Sequence, residues 1–422
     1  MLINTVNVDP VNVDLINTSA GSDMDGTSGT PLGTWITTTE AAQRLGVKRA
    51  TLYAYVSRGL LRSERRPGQQ ESLFDRTQID IMASATRPPG GPQPVLRFRS
   101  VATAVSSQVD GELFYRGRPL GDVVALGSLE EAAALVMGAP VSRAIPDARS
   151  GVDIRLSALP LERRMPVALQ LLAAADPFAS DTDPERVRAA ALPTLRGALT
   201  LVAGGGGGSA RARRELARPD LTALVLQVLG GSPSAPGDVA VLRVLLVALL
   251  DHGLTASTVA ARVAASTRAG LHDCLSAAYA AMAGPLHGAA PVSAHALLAD
   301  GVDPAVLVAR SLRERGGVAG FGHFLYPGGD PRADVVLEAL WRRRGTTRLR
   351  RRVEGLVTLV GERTGALPNI DLASAAVLQA LGLPAESGEV VFQVARSVGV
   401  AAHVVEEYAE EPLRWRGRDP QG

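Results

Sequence analysis

Gly284-Pro285-Leu286-His287-Gly288 and Gly320-Phe321-Gly322-His323 are two glycine-flanked histidine motifs in one stretch of this chain. The residues around each histidine are mostly small, so a ligand can approach the backbone closely and reach either imidazole. The second motif is followed by Asp330-Pro331-Arg332, where Asp can cap a helix and Pro fits its first position. Such a helix start favours bound carboxylates. Either motif alone is explained by helix boundaries with buried histidines, whereas the pair favours a catalytic or ligand-binding site.

The composition predicts a mainly α-helical, cytoplasmic protein of two or three domains. The chain has 422 residues, 44 Lys and Arg against 42 Asp and Glu, and a net charge of +2, which excludes nucleic-acid binding over its whole surface but not by a local region. A single cysteine, Cys274, excludes an internal disulfide and a cysteine-based zinc site. The most apolar stretch, 239–250, contains Arg243 and is too short to span a bilayer, so no membrane association is expected. Aromatic residues make up only 4% while Ala and Leu abound, which favours helices over strands.

The first 87 residues contain a polar tail and a predicted helix-turn-helix module. Residues 1–33 lack helical periodicity and large apolar groups, which predicts a disordered tail or sequence upstream of the true start. Thr37-Thr38-Thr39-Glu40 is a capping box, and Gly46 ends the short helix that it begins. A second helix is predicted from about Lys48 to Arg58.

Residues 34–87 resemble the winged helix-turn-helix modules of the MerR and excisionase type. The resemblance rests on the segment from Thr38 to Val47, followed by Ala50-Thr51-Leu52-Tyr53. It implies DNA binding, whereas dilution of the positive charge by acidic residues supports equally well a module for packing or oligomer contacts. The residues predicted to face DNA are Lys48, Arg49, Tyr53 and Arg58.

A Pro- and Gly-rich linker at 88–94 separates this module from a second, helix-rich region. Turn signals between Asp110 and Leu120 predict a short β-ribbon. Helical spacing follows over 161–175, 184–203, 220–229 and 238–252, and one long alanine-rich helix is predicted from about 256 to 282. The five-glycine run at 204–208 is interpreted as a surface loop, since no Gly-Lys-Ser/Thr follows it.

Four motifs in order carry a resemblance to the citrate synthase family, over residues 95–418. They are Asp251-His252 with Ala256-Ser257-Thr258, the Gly284–Gly288 motif, the Gly320–His323 motif with Asp330-Pro331-Arg332, and Pro368-Asn369-Ile370-Asp371. The resemblance implies an all-α fold with a large domain over 95–295 and 387–422, a small domain over 296–386, and a homodimer. The substrate cleft would lie between the two domains.

The family's reaction joins an acyl-CoA to oxaloacetate, and the resemblance assigns residues to it. Removing a weakly acidic proton beside a thioester carbonyl requires a carboxylate base and a donor for the enolate oxygen. Asp371 matches the base, His287 the donor, and His323 the group that hydrogen-bonds the ketone. The positions that match substrate-binding residues are His252, Arg332, Arg396 and Arg414, the last supplied to the partner's site. Neither a metal nor a redox cofactor is implied, because the CoA thioester is itself a substrate.

This chain departs from the family pattern at Gly253 and Thr255 and in Ala289-Ala290-Pro291, positions that touch the substrate pocket. Acetyl-CoA, giving citrate, is the first expectation. Propionyl-CoA, giving 2-methylcitrate, is the alternative, since one methylene changes binding by only about 1–3 kcal/mol. A second hypothesis is a transcriptional regulator in which residues 34–87 bind DNA and the synthase-like region senses a metabolite.

Overall fold

The computed structural model describes two compact units, Met1–Pro88 and Pro89–Gly422, which we consider separately. The described residues are 35–57, 61, 63–65, 71–76, 79, 101–140, 156–204, 220–232, 235–284, 287–288, 290–298, 303–323 and 325–415. The predicted tail at 1–33, the linker at 88–94, Arg58 and the glycines at 205–208 lie outside them. The division into large and small domains stays a prediction.

The first unit combines two helices with a small antiparallel sheet. Strands β1 (Trp35–Thr37), β2 (Ser63–Glu64) and β3 (Leu73–Asp75) pair in the order β1-β3-β2. Helices α1 (Thr38–Leu45) and α2 (Arg49–Ser57) pack beside them. The predicted capping box and stop signal are confirmed: the Thr37 side chain accepts the Glu40 N–H at 3.2 Å, and Gly46 adopts a φ of +66°.

The second unit is helical apart from one β-ribbon, and the fold class predicted from the sequence is confirmed. The ribbon consists of β4 (Ser106–Val109), β5 (Glu112–Tyr115) and β6 (Arg118–Pro119). The helices of its described part are α3 (Leu120–Val124), α4 (Leu129–Met137), α5 (Leu161–Ala175), α6 (Pro184–Val202), α7 (Leu221–Val228), α8 (Pro236–Ala248), α9 (Ala256–Ser266), α10 (Leu271–Met282), α11 (Ala290–Leu297), α12 (Pro304–Arg315), α13 (Pro331–Trp341), α14 (Thr347–Thr364), α15 (Ile370–Ala380) and α16 (Ser387–Tyr408). Within the described residues, no helix is long and apolar enough to cross a membrane.

Two tight turns form the ribbon and direct it toward the core. Asp110 and Gly111 have φ values of +51° and +82° in the first turn, and Arg116 and Gly117 have φ values of +46° and +77° in the second. Paired positive φ values match the right-handed twist of the flanking strands. The buried Tyr115 hydroxyl then donates to the Val247 carbonyl at 3.0 Å, so the ribbon is anchored at the end of α8.

The predicted single helix from 256 to 282 is wrong, because the chain forms two helices, α9 and α10. The break contains Arg268, with a φ of +67°, and Gly270. A Cβ on Gly270 would lie 1.7 Å from the Ala179 carbonyl oxygen, so the residue must be glycine for this backbone approach. The cause is a contact distant in sequence, which helical periodicity does not register.

The buried helix α16 positions the segment that follows α8. Helix α8 ends at Ala248 instead of continuing to His252 as predicted. The Gly399 N–H donates to the Leu250 carbonyl at 3.2 Å, and a Cβ on Gly399 would lie 2.3 Å from that oxygen. This close packing places Asp251 and His252 at the end of α8, beside Arg396 of α16.

Candidate active site

One cavity of about 850 Å³ brings together residues from all four motifs and from the β-ribbon. Six of the seven positions predicted for catalysis or substrate binding line it: His252, His287, His323, Arg332, Asp371 and Arg396. They come from segments separated by up to 144 positions in the sequence, from His252 to Arg396. Three imidazole rings, one carboxylate and two guanidinium groups therefore line one cavity.

His287 lies against the N-terminus of α9 and is held by Ser257. The Ser257 Oγ is 2.8 Å from His287 Nε2, and the Ser257 N–H points to the same nitrogen at 3.4 Å. Two donors at Nε2 leave the ring hydrogen of the neutral imidazole on Nδ1. Burial, together with the positive charge of Arg396, lowers the pKa of His287 to about 4. His287 is therefore a neutral hydrogen-bond donor at physiological pH.

Ser257→Ala is expected to lower kcat for CoA release by about tenfold, the equivalent of one hydrogen bond of about 1.4 kcal/mol. The loss follows because the His287 ring is no longer held in one tautomer and orientation. Steady-state kinetics should show KM for the keto acid unchanged, since Ser257 is bonded to His287 and to Thr255. Ser257→Thr, which keeps the hydroxyl, is the matched control. Equal losses in both variants would contradict a positioning role.

His323 forms a cluster of rings with His252 and Tyr326. The His252 Nε2 is 2.9 Å from the Tyr326 hydroxyl, and the ring centroids of His323 and His252 are 5.3 Å apart. The Leu325 N–H donates to His323 Nδ1 at 3.2 Å, and the Arg332 guanidinium lies 3.3 Å from His323 Nε2. Burial, with the Arg332 charge second, lowers the pKa of both histidines. Tyr326 was not identified from the sequence, because its loop has no periodicity that marks an inward side chain.

The two arginines of the cavity differ in their counter-charges. Arg332 is 3% exposed, and its guanidinium pairs with both carboxylate oxygens of Asp330 at 2.9 and 2.8 Å. Arg396 is 1% exposed and donates to the Leu249 carbonyl at 3.1 Å and to Thr255 Oγ at 3.4 Å. No carboxylate of the described residues forms a salt bridge with Arg396, and burial lowers its pKa. The negative charge of Asp251 opposes this lowering of the pKa. A buried guanidinium that is not in a direct salt bridge is costly, so this cavity favours an anionic ligand.

The Asp330 carboxylate binds backbone N–H groups at the starts of two helices, α13 and α15. The sequence predicted the first of these contacts, the cap of α13. The carboxylate accepts the Arg332 N–H at 3.1 Å, which confirms the predicted cap of α13. It also accepts the Ile370 N–H of α15 at 3.0 Å. The carboxylate therefore fixes the position of Asp371 relative to Arg332.

Asp371 lies in the first turn of α15. The side chain of Asn369 links this turn to the second histidine motif. The side chain of Asn369 accepts the Asp371 N–H at 3.0 Å and donates to the Gly322 carbonyl at 2.9 Å. Burial raises the pKa of Asp371 to about 6, against the opposing effect of the Arg332 charge. A carboxylate with this pKa is a stronger base than an exposed one and is still ionised at neutral pH.

Arg414 does not line this cavity. It pairs with both oxygens of the buried Glu407 at 2.7 and 2.6 Å, and Glu407 also binds Arg262 at 2.8 Å. Its predicted contribution to a partner's site stays a prediction.

Three of the four predicted DNA-facing residues are described, and each is exposed at the surface of the first unit. Lys48 and Arg49 are exposed at the start of α2, and Tyr53 is 46% exposed. Arg49 pairs with Glu71 at 3.1 Å, which reduces its charge toward an external ligand.

The comparisons with known proteins agree with the fold and the motifs. Residues 96–417 match the family model "Citrate synthase, C-terminal domain", and residues 35–85 match "Helix-turn-helix domain". The chain therefore belongs to the citrate synthase family and carries a helix-turn-helix domain at its N-terminal side.

The similar proteins include both citrate and 2-methylcitrate synthases. Citrate synthase of Deinococcus radiodurans is 29% identical over 68% of this chain and 79% of its own length. Citrate synthase of Haloferax volcanii is 35% identical over 40% of this chain, and 2-methylcitrate synthase 2 of Corynebacterium glutamicum is 32% identical over 45%. These two matches span 46% and 52% of the relatives, about half of their length.

Solved structures show the same fold. Citrate synthase of Thermotoga maritima has a TM-score of 0.59 and 23% identity, covering 75% of this chain and 91% of that one. That of Thermoplasma acidophilum, solved with carboxymethyl coenzyme A and oxaloacetate, has a TM-score of 0.59 and 21% identity, covering 76% and 93%.

Proposed function

We propose that this protein condenses an acyl-CoA with oxaloacetate and hydrolyses the resulting thioester to a tricarboxylic acid and CoA. The observation that carries the proposal is the cavity lined by Asp371, His287, His323 and Arg396, the last of which forms no salt bridge with the described carboxylates. A dicarboxylic keto acid would supply the anionic partner for Arg396, while its second carboxylate would lie near Arg332.

Carbon–carbon bond formation begins with an enol. Asp371 takes the proton from the carbon beside the thioester carbonyl, and His287 donates from Nδ1 to the carbonyl oxygen as it gains charge. The enol carbon then attacks the ketone carbon of oxaloacetate, and the enol proton returns to His287 as the thioester carbonyl re-forms. The ketone oxygen receives the ring proton of His323. A neutral donor suits both steps, because a permanently charged imidazolium would stabilise the bound substrates as well as the transition state.

Hydrolysis completes the reaction. Water adds its hydroxide to the thioester carbon and its proton restores His323, while the carbon–sulfur bond breaks. The departing thiolate takes the proton held by Asp371, so each group returns to its starting state.

A thiol-release assay with acetyl-CoA and propionyl-CoA in parallel tests the proposal. Release of CoA that requires oxaloacetate supports it, and the ratio of the two kcat/KM values identifies the acyl group. We propose acetyl-CoA as the main substrate and propionyl-CoA as the alternative, since the relatives include both classes. A folded sample that releases no CoA from either thioester would contradict the proposal.

The pH dependence of kcat/KM should show an acidic limb near pH 6. Asp371 acts only when ionised, and burial raises its pKa to about 6, so the rate should fall about tenfold per pH unit below that value. His287, with a pKa of about 4, stays neutral across this limb. Stopped-flow CoA release from about pH 4.5 to about pH 8 measures this limb. A kcat/KM that stays constant down to about pH 4.5 would contradict a base with a raised pKa.

We propose DNA binding as a second function of the same chain. It is supported by the helix-turn-helix match over residues 35–85 and by the exposed side chains of Lys48, just before α2, and Tyr53, within α2. Lys48→Ala should weaken binding of the full-length protein to a duplex of its upstream region and reduce the salt slope by about 1. Lys48→Arg is the matched control. Binding that is absent or independent of salt would leave this module a packing element.

A further inference from the structure

A dense group of arginines occupies the turn between α13 and α14 and the start of α14, between the last two motifs of the active site in the sequence. Seven of the eleven residues from 342 to 352 are Arg, and none is Asp or Glu. We call residues 342–352 the arginine segment. The members that are exposed to solvent are Arg342, Arg344, Arg348, Arg350 and Arg351.

Neighbouring carboxylates balance only part of this charge. Arg342 pairs with Glu338, Arg343 with Asp238 at 2.6 Å, and Arg350 with Glu354 at 2.8 Å. The first and last of these pairs are exposed, and exposed pairs bind weakly enough to exchange for an external anion. Arg344 and Arg351 have no carboxylate partner among the described residues.

The arginine segment opposes the stability of the helix that it begins. Helix α14 has no acidic residue in its first turn, and Thr346 makes no side-chain cap. Positive side chains at the positive end of a helix are unfavourable by roughly 0.3–1 kcal/mol each at low ionic strength. Contacts within the fold account for Arg343, Arg350 and Arg352, which lie against Asp238, Trp341 and the Leu297 carbonyl. They do not account for Arg344 and Arg351, whereas an external polyanion would.

The spacing of the side chains fits a chain of phosphates. Arg348 and Arg351 are three residues apart on the exposed side of α14, whose opposite side buries Val353, Leu356 and Val360. Side chains three residues apart lie on one face of a helix, about 4.5 Å apart along its axis. Duplex DNA presents one charge per roughly 1.7 Å of its axis, so adjacent guanidinium groups can each meet a separate phosphate.

We propose that the arginine segment is a second nucleic-acid contact that binds the phosphate backbone of double-stranded DNA without reading its sequence. DNA is favoured over an acidic protein because the same chain carries a helix-turn-helix domain. A weak non-specific contact in one unit raises the effective concentration of DNA for the other unit of the same polypeptide. This function is separate from acyl transfer, since the arginine segment does not line the active-site cavity.

The test compares two full-length triple variants by fluorescence anisotropy with labelled DNA duplexes of two unrelated sequences. One variant is Arg344→Gln/Arg348→Gln/Arg351→Gln. The matched control is Arg163→Gln/Arg186→Gln/Arg363→Gln, which removes three exposed arginines elsewhere. Each triple variant is also made in the Lys48→Ala background. Loss of DNA binding at the helix-turn-helix is then distinguished from loss of DNA binding at the arginine segment.

The first variant should show a slope of log Kd against log salt that is shallower by about 2–3, at about 0.9 per phosphate contact. The effect should be equal for both sequences, persist with Lys48→Ala, and leave CoA release unchanged, while the control keeps the slope of the unmodified protein. Equal slopes for the two triple variants would overturn the proposal, as would undetectable binding of the unmodified protein at about 50 mM salt. Arginine-dependent binding that is tighter to duplex RNA or to polyglutamate than to duplex DNA would assign the arginine segment to a different partner. That result would overturn the proposal that it binds DNA.

Discussion

Replacement of Asp371 by Asn is expected to lower kcat for CoA release by about 10²–10⁴-fold, the range for loss of a general base. Asn keeps the shape of the side chain but cannot accept the proton from the acyl-CoA. The hydrogen bond of Asn369 to the Asp371 N–H, at 3.0 Å, involves only the backbone of residue 371, so the start of α15 should be retained. Steady-state assays with acetyl-CoA and propionyl-CoA measure the loss.

Thermal unfolding provides the control for this variant. Burial raises the pKa of Asp371 from 3.8 to about 6, so its contribution to stability is present below pH 4 and is lost as the pH rises through 6. At neutral pH the buried carboxylate is unfavourable, and the Asn variant should unfold at the same or a higher temperature. Substantial turnover in a folded Asn variant would exclude Asp371 as the base.

Replacement of His287 by Ala is expected to lower kcat by about 10²–10³-fold, comparable to the loss of one oxyanion donor. KM for oxaloacetate should change little, because Arg332 and Arg396 are retained as its proposed carboxylate partners. The physical reason is that the neutral Nδ1–H acts on an oxygen that becomes charged only as the enol forms. Steady-state kinetics with oxaloacetate varied at saturating acyl-CoA separate the two parameters.

The matched control is His295→Ala. His295 is a half-buried histidine of α11 that does not line the cavity. Its replacement should leave kcat unchanged. Equal losses for both variants would indicate damage to this part of the fold instead of loss of a donor, and an unchanged kcat in His287→Ala would contradict the proposed mechanism.

Local signals in the sequence predicted those elements whose causes are local. The helix cap at Thr37, the helix start at Asp330 and the ribbon turn at Asp110-Gly111 are all present. Each depends on contacts within about four residues, which a pattern in one sequence can show. The helix break near Gly270 was missed because its cause is the carbonyl of Ala179.

The sequence by itself determined that this chain is helical, belongs with the citrate synthases, and contains two histidine motifs and a carboxylate suited to acyl-CoA chemistry. Only the tertiary structure decided the surroundings of these groups: Ser257 contacts His287, Tyr326 contacts His252, and Asp330 pairs with Arg332, whereas no described carboxylate forms a salt bridge with Arg396. The reason is that tautomer, pKa and counter-charge depend on burial and on atoms brought close by distant segments. A sequence specifies residue types and local spacing, whereas packing sets those environments.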